Sequence, residues 1–432
     1  MSICKIVKGG VCSAKGFRAA GVAAEIKYKG GNDVALIVAD EPCAAAAVFT
    51  TNKVAAAPVL YDREVLGCEV KGKGEGEQGN NLSAVHLKSS PSPSPLIQAI
   101  LANSGCANAC TGEQGLKDAK LSALVTAGEL GINPRNVLVA STGVIGRPLP
   151  MDRLLAGMKA AAKRLGRTPA HGLAAEKAVM TTDTKPKEAC ATVKIGGKTV
   201  TVGGMSKGSG MIEPNMATML GFITTDANIT AAMLKRALYL AINKSFNRLV
   251  VDGDESTNDS VFLLASGKAG NKVITKAGKD FDAFREALEA VCVSLARQMA
   301  TDGEGATKFV TVTVRGARTE KDAERAARAV AKSPLSKTSW FGRDPNWGRV
   351  LAAVGYSGAD VVDMKTEVFY DKVWAFKCGQ VADAAQLKKL EKVLKKDAFE
   401  VVVDLHLGKF ASSIYTCDFS LDYVHINADY TT

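Results

Sequence analysis

Apolar residues recur along this chain in two rhythms. At helical spacing, Met233, Leu234, Ala237, Leu238 and Ala241 form one stripe over residues 230–245, and Phe284, Leu288, Val291, Leu295 and Met299 form another over 280–300. The same reading predicts helices over 151–165 and 173–180, one from Lys117, a lysine-rich one over 386–396, and one opened by Thr319 with Asp322 at capping-box spacing. At strand spacing, Val310, Val312 and Val314 alternate, and the apolar runs 34–38, 96–101, 137–141, 249–251, 367–369 and 400–407 read as strands. Gly196-Gly197 joins 191–195 to 199–203 as a hairpin. Residues 15–21 read as a loop or turn, 48–53 as a short strand with 58–60 as its exit, and 427–432 as a free tail without periodicity. Strands and helices mix without regular βαβ alternation, which predicts α+β layers rather than a doubly wound sheet.

One stretch breaks both rhythms. Residues 71–81 are Gly-rich and charged, and 89–95 are a Ser-Pro tract that favours extended, polyproline-like chain. Neither part carries enough apolar surface to offset its ordering entropy, so 71–95 is expected to be a flexible insertion.

Composition narrows the class. The 432 residues are 47% hydrophobic and 23% charged, and no apolar run approaches the ~18 residues of a membrane helix. Ten cysteines occur without a C-x-x-C pair and histidines number four, so neither a zinc site nor a disulfide framework is expected. Cys106 and Cys110 read as small packing residues of a reducing compartment. The formal charge of +11 is scattered over amphipathic helices, and only 6% of residues are aromatic, so no nucleic-acid partner is expected. Asp252, Asp254, Asn258 and Asp259 cluster oxygen ligands without the spacing of a calcium loop, and turn and hydrogen-bond roles are expected of them.

The candidate chemistry lies at Lys207-Gly-Ser-Gly-Met-Ile-Glu-Pro-Asn-Met-Ala-Thr-Met-Leu220. A Gly-rich loop here runs into an apolar strand with a hydroxyl, Thr218, at the junction. A hydroxyl is a weak nucleophile without an adjacent base, and none of the four histidines stands in a nucleophile context. Cleavage before a threonine supplies its own base, because the new α-amine has a pKa near ~8 and lies beside the hydroxyl. Small Ala217 leaves its carbonyl open to the Thr218 oxygen. A single Ala-Thr pair is more often just a buried strand start.

The wider sequence changes that balance. Lys207–Leu220 resembles the self-cleavage segment of the ornithine acetyltransferases, the bifunctional glutamate N-acetyltransferases. The resemblance continues in Met180-Thr-Thr-Asp-Thr-Lys-Pro-Lys187, Val251-Asp-Gly-Asp-Glu-Ser-Thr-Asn-Asp259 and Asp302-Gly-Glu-Gly-Ala-Thr-Lys308. It extends to Gly342-Arg-Asp-Pro-Asn-Trp-Gly-Arg349 and Ile426-Asn-Ala-Asp-Tyr-Thr-Thr432, all in the family's order. The 71–95 stretch departs from the short helical connection usual there.

The resemblance implies a four-layer αββα sandwich and cleavage between Ala217 and Thr218. It gives an α chain (1–217) and a β chain (218–432) assembled as α2β2. It implies acetyl transfer from N-acetylornithine to glutamate through an acetyl-Thr218 intermediate, with Thr142 and Gly143 as the oxyanion pair. Thr181, Lys207, Glu304, Asn427 and Thr432 would bind substrate, Lys207 at a carboxylate and Glu304 at a cationic amine. No cofactor or metal is implied, and use of acetyl-CoA as a second donor is left open. The segment before the first family-like motif is too short for a transit peptide. A cytoplasmic protein is expected, or one of the plastid stroma or mitochondrial matrix if the source is eukaryotic and a targeting segment is missing. Two other classes remain: a self-cleaving amidohydrolase or aminopeptidase of related fold, and a basic binding protein without catalysis.

Overall fold

The computed structural model describes residues 4–27, 30–68, 95–213 and 219–429. The first part of the chain gives β1 (Lys5–Val7), β2 (Phe17–Val22), β3 (Val34–Phe49), α1 (Ala57–Val65), β4 (Leu96–Cys106), α2 (Gly112–Leu130), β5 (Val137–Val144), α3 (Met151–Lys163) and α4 (Pro169–Val179). Next come β6 (Glu188–Ile195), β7 (Lys198–Lys207), β8 (Leu220–Thr225), α5 (Ala231–Asn243), β9 (Ser260–Ala265) and α6 (Lys279–Thr301). The last part gives β10 (Phe309–Ala317), α7 (Glu320–Lys332), α8 (Pro334–Phe341), α9 (Trp347–Gly355), β11 (Glu367–Tyr370), β12 (Val373–Lys377), β13 (Gln380–Val381), α10 (Ala384–Leu394), β14 (Ala398–Asp404), β15 (Phe410–Cys417) and α11 (Leu421–Asp429).

β3 organises the larger part. Its first half pairs with β2 and β4, its second half with β9, and its register shifts between Val38 and Cys43. Exposed Glu41 and Pro42 sit in that shift, where proline has no N–H to give the ladder. Nine of the described strands therefore form one sheet, β1-β6-β7-β8-β9-β3-β4-β5 with β2 on β3, whose two halves share a core. Ala35, Ile37, Ile100 and Leu138 from one half meet Met205, Leu220, Phe222 and Phe262 from the other. The opposite face of the first half, with Leu36, Val38, Leu101 and Val139, packs on Ala119 and Ala123 of α2 and Leu154 and Met158 of α3. The opposite face of the second half, with Val193, Val202, Ile223 and Leu263, packs on Leu234 and Leu238 of α5 and Leu288, Val291 and Leu295 of α6. The protein is thus the expected α+β fold, a four-layer αββα sandwich.

The later strands form a smaller sheet, β13-β12-β11-β14-β10-β15, covered by α7, α9 and α10 around Trp340, Tyr370, Val401 and Val403. Thr319 caps α7 as the sequence predicts, its Oγ1 accepting the Asp322 N–H at 3.0 Å. No helix among the described residues is long and apolar enough to cross a membrane.

Several expectations are corrected. Residues 17–22 are a buried strand, not a loop, because they pair along the first half of β3. Residues 48 and 49 end β3 rather than starting another strand; the weak-propensity run Ala44–Ala47 concealed its length. Residues 58–60 open α1, with Pro58 in its first turn, where the missing N–H is harmless. α2 begins at Gly112, before Lys117. Leu249 makes only an isolated bridge to Tyr415. Asn427 lies on α11 rather than in a free tail. The 71–95 insertion, apart from Pro95, lies outside the described residues.

Candidate active site

Two parallel strand ends make the first wall. β4 and β5 pair from Ala99 with Val137 to Ser104 with Thr142, and the ladder shifts at Gly105 and Cys106. Gly143 there has φ +128°, and a Cβ on it would lie 2.5 Å from the Gly105 carbonyl carbon. Only glycine lets the strands approach so closely. Asn258 fastens the same end by donating to the carbonyls of Ala107 (2.6 Å) and Ser141 (2.8 Å). The Thr142 hydroxyl accepts from Lys207 Nζ at 3.2 Å, which leaves its own hydrogen for another acceptor. A hydroxyl polarised by an ammonium suits an oxygen that gains negative charge.

The second wall is the turn after β7. Gly208 N donates to Asp183 Oδ1 at 2.8 Å, and Ser209 Oγ donates to the Asp302 carbonyl at 2.6 Å. Met211, at φ +56°, and Ile212 both give their N–H to the Asp252 carboxylate, at 2.6 and 2.7 Å. Glu213 pairs with Lys332 and with Arg328 (3.8 Å) of α7. Ahead of β8, the Met219 carbonyl accepts from Ser260 N at 2.9 Å. Asp252 and Asn258 thus take the turn and hydrogen-bond roles expected of them. Among the described residues no group of three or more His, Cys, Asp or Glu is placed to hold a metal.

The third wall follows α6. Buried Glu304 donates its N–H to the Ser209 carbonyl at 3.0 Å, and its Oε2 accepts from Asn427 Nδ2 of α11 at 2.9 Å. Gly210 lies flat against the Glu304 carboxylate: a Cβ at 210 would be 2.3 Å from Oε2. Ser420 holds the start of α11 by donating to the Gly305 carbonyl at 2.6 Å.

These walls enclose a cavity of about 100 Å³ lined by Thr142, Gly143, Thr181, Lys207, Glu304 and Asn427, with Met219 and Asp259. Six expected site residues, from five separate segments, meet there. The other three, Ala217, Thr218 and Thr432, lie outside the described residues.

Sequence reasoning missed several contributors. Burial pushes the Asp259 carboxyl well above the ordinary range, only partly opposed by its hydrogen bond with Ser256 and by the Lys207 charge; its Oδ2 has no partner among the described residues. Behind the cavity, Lys187 Nζ lies 2.6 Å from both Asp183 and Asp302. Burial would raise Asp183, but the charges of Lys187 and Lys207 overcome it and hold the carboxyl below its usual value. Burial would likewise lower Lys187, and its two carboxylate partners raise it instead. The stretch Met180–Lys187 signalled importance, but not that its last residue is a buried cation. Cys106 is buried and Cys110 exposed; both are free thiols.

The ArgJ family model matches residues 18–432. The arginine biosynthesis bifunctional protein ArgJ of Symbiobacterium thermophilum is 48% identical over 426 residues, 98% of this chain and 99% of that protein. A glutamate N-acetyltransferase of Methanocaldococcus jannaschii is 44% identical over 438 residues, 99% of this chain and all of that protein. Among solved structures, an ArgJ chain from Bacillus halodurans is 40% identical and matches with a TM-score of 0.48, covering 49% of this chain and 100% of that one. With a family match over nearly its whole length and such relatives end to end, this chain belongs to the ArgJ family.

Proposed function

We propose that the protein is a self-cleaving acyltransferase that moves acetyl from N-acetyl-L-ornithine to L-glutamate, giving L-ornithine and N-acetylglutamate. The observation that carries this reading is the convergence of an ammonium, a carboxylate and a Thr-Gly strand end in one cavity (Lys207, Glu304, Thr142 and Gly143). Both substrates carry an α-carboxylate, and only the donor carries a cationic side-chain amine. Lys207 keeps donors beyond the one given to Thr142, and these take the carboxylate. Glu304 takes the amine, and Thr181, Asn427 and Thr432 complete the substrate contacts.

Cleavage between Ala217 and Thr218 exposes the nucleophile with its own α-amine as base. The Thr218 oxygen attacks the acetyl carbonyl while the amine takes its proton. Thr142 and Gly143 N–H hold the oxyanion, and ornithine leaves with the proton. The glutamate amine then attacks the acetyl-threonine ester and releases N-acetylglutamate. The pieces on either side of the cut do not part, because β7 and β8 pair from Val202–Thr225 to Lys207–Leu220. Two such pairs make the α2β2 assembly.

The test is to supply N-acetylornithine with and without glutamate. Ornithine should accumulate steadily only with glutamate, matched by N-acetylglutamate. Steady acetate release without glutamate would instead favour an amidohydrolase.

A further inference from the structure

We infer that Lys187, with Asp183 and Asp302, is the positioning centre that sets the cavity's selectivity for a cationic side chain. This rests on the reading of Glu304 given under Proposed function. None of the three residues lines the cavity. Their side chains are 0–6% exposed, and one ammonium serves two carboxylates, each at 2.6 Å. Such a buried, unequally charged group is a poor source of stability, since its desolvation penalty offsets much of its attraction.

Its remaining bonds show what it does hold. Asp183 accepts from Thr181 N at 3.1 Å and from Gly208 N at 2.8 Å, joining two segments that line the cavity. Asp302 accepts from Thr184 N at 3.0 Å and Lys185 N at 3.3 Å, and its carbonyl takes the Ser209 hydroxyl at 2.6 Å. Two residues beyond Asp302 stands Glu304, its N–H on the Ser209 carbonyl. Lys187 Nζ therefore joins the carboxylate that holds Thr181 and Gly208 to the carboxylate beside the Glu304 turn. Its own backbone is pinned by Glu176 Oε1, which accepts Lys187 N–H at 3.0 Å, and by Ser206 N on the Lys187 carbonyl at 3.1 Å. Releasing either carboxylate from Lys187 leaves only the bonds of Ser209, Thr184 and Lys185 to place Glu304 against Thr181, so the substrate end that Glu304 reads suffers first.

The test compares N-acetylornithine with N-acetylnorvaline, the same molecule without its terminal amine, as acetyl donors to glutamate. Asp302→Asn keeps the shape but removes the negative charge facing Lys187; with the amide oxygen in place of Oδ2, its NH2 meets the Thr184 hydroxyl, which must turn from donor to acceptor. It should lower kcat/KM for N-acetylornithine by about tenfold or more, since small misplacements of a binding group are expensive. Loss with N-acetylnorvaline should stay within about threefold, a split that general loosening of the fold would not produce. Glu304→Gln should reduce the same preference, and adding it to Asp302→Asn should change the preference little further. Lys187→Met should act in the same direction; should it not fold, Asp302→Asn and Asp183→Asn carry the test. Equal losses on both donors, or an unchanged preference, would overturn this inference alone. Failure of the unaltered protein to use N-acetylornithine would overturn the proposed function with it.

Discussion

Gly210→Ala isolates the placement of the Glu304 carboxylate. The new Cβ would stand 2.3 Å from Oε2, 2.4 Å from Cδ and 2.5 Å from Oε1. Ordinary contact is roughly 3.5 Å, so the carboxylate must retreat by about 1 Å. The backbone at 210 is not in the left-handed region, so alanine adds no torsional strain of its own. The retreat would also disturb the 2.9 Å bond from Asn427, which ends on the same Oε2. A binding group misplaced by about 1 Å lowers turnover on the order of 10²-fold, or about 2.7 kcal/mol in the barrier. The assay is kcat/KM for N-acetylornithine at saturating glutamate, on protein shown by intact mass to be cleaved, beside a thermal melt. A large loss of kcat/KM with a small change in Tm is expected. Activity within about threefold of the unaltered protein would refute the argument that Glu304 must sit where Gly210 allows it.

Other outcomes follow from the same geometry. Thr142→Val keeps the shape of the β5 end but removes the hydroxyl, and kcat should fall on the order of 10²–10³-fold with little change in KM; a loss under about tenfold would remove Thr142 from the oxyanion site. Thr218→Ala should remain a single chain on a denaturing gel, and cutting of that variant at the same bond would mean that another agent cleaves it. Asp62 is fully buried and one carboxyl oxygen has no partner among the described residues, so burial pushes its carboxyl well above the ordinary value, only partly opposed by the Val139 N–H at 2.9 Å. The folded state thus keeps a proton that the unfolded chain releases above about pH 4, and stability declines as pH rises from there toward the folded value. Asp62→Asn should flatten the fall of Tm between about pH 5 and 8, and parallel Tm curves would contradict the neutral carboxyl.

How far the sequence carries depends on the range of the interactions that fix each feature. The α6 stripe and the Gly196-Gly197 turn are local patterns and were legible almost to the residue, although the hairpin strands run three and four residues further at their open ends. β3 was not, because its continuation through Pro42 and Ala44–Ala47 depends on pairing with β9, more than 200 residues away. α11 escaped notice because it buries no apolar stripe; contacts around Gly305 and Glu304 hold it. The site residues stood out as loop motifs, but no local pattern says that segments around 142, 181, 207, 304 and 427 converge. Lys187 was invisible as a site residue because a lysine reads as surface until two buried carboxylates are seen to enclose it.

The central claim is a covalent one, that acetyl rests on Thr218 between donor and acceptor. The purified protein should be mixed with N-acetylornithine in the absence of glutamate, quenched in acid and measured by intact mass. The account predicts two chains, with one acetyl group added to the chain that begins at Thr218. That acetyl should be lost when glutamate is added before the quench. An unmodified second chain during active turnover, or an acetyl group on the first chain, would contradict it.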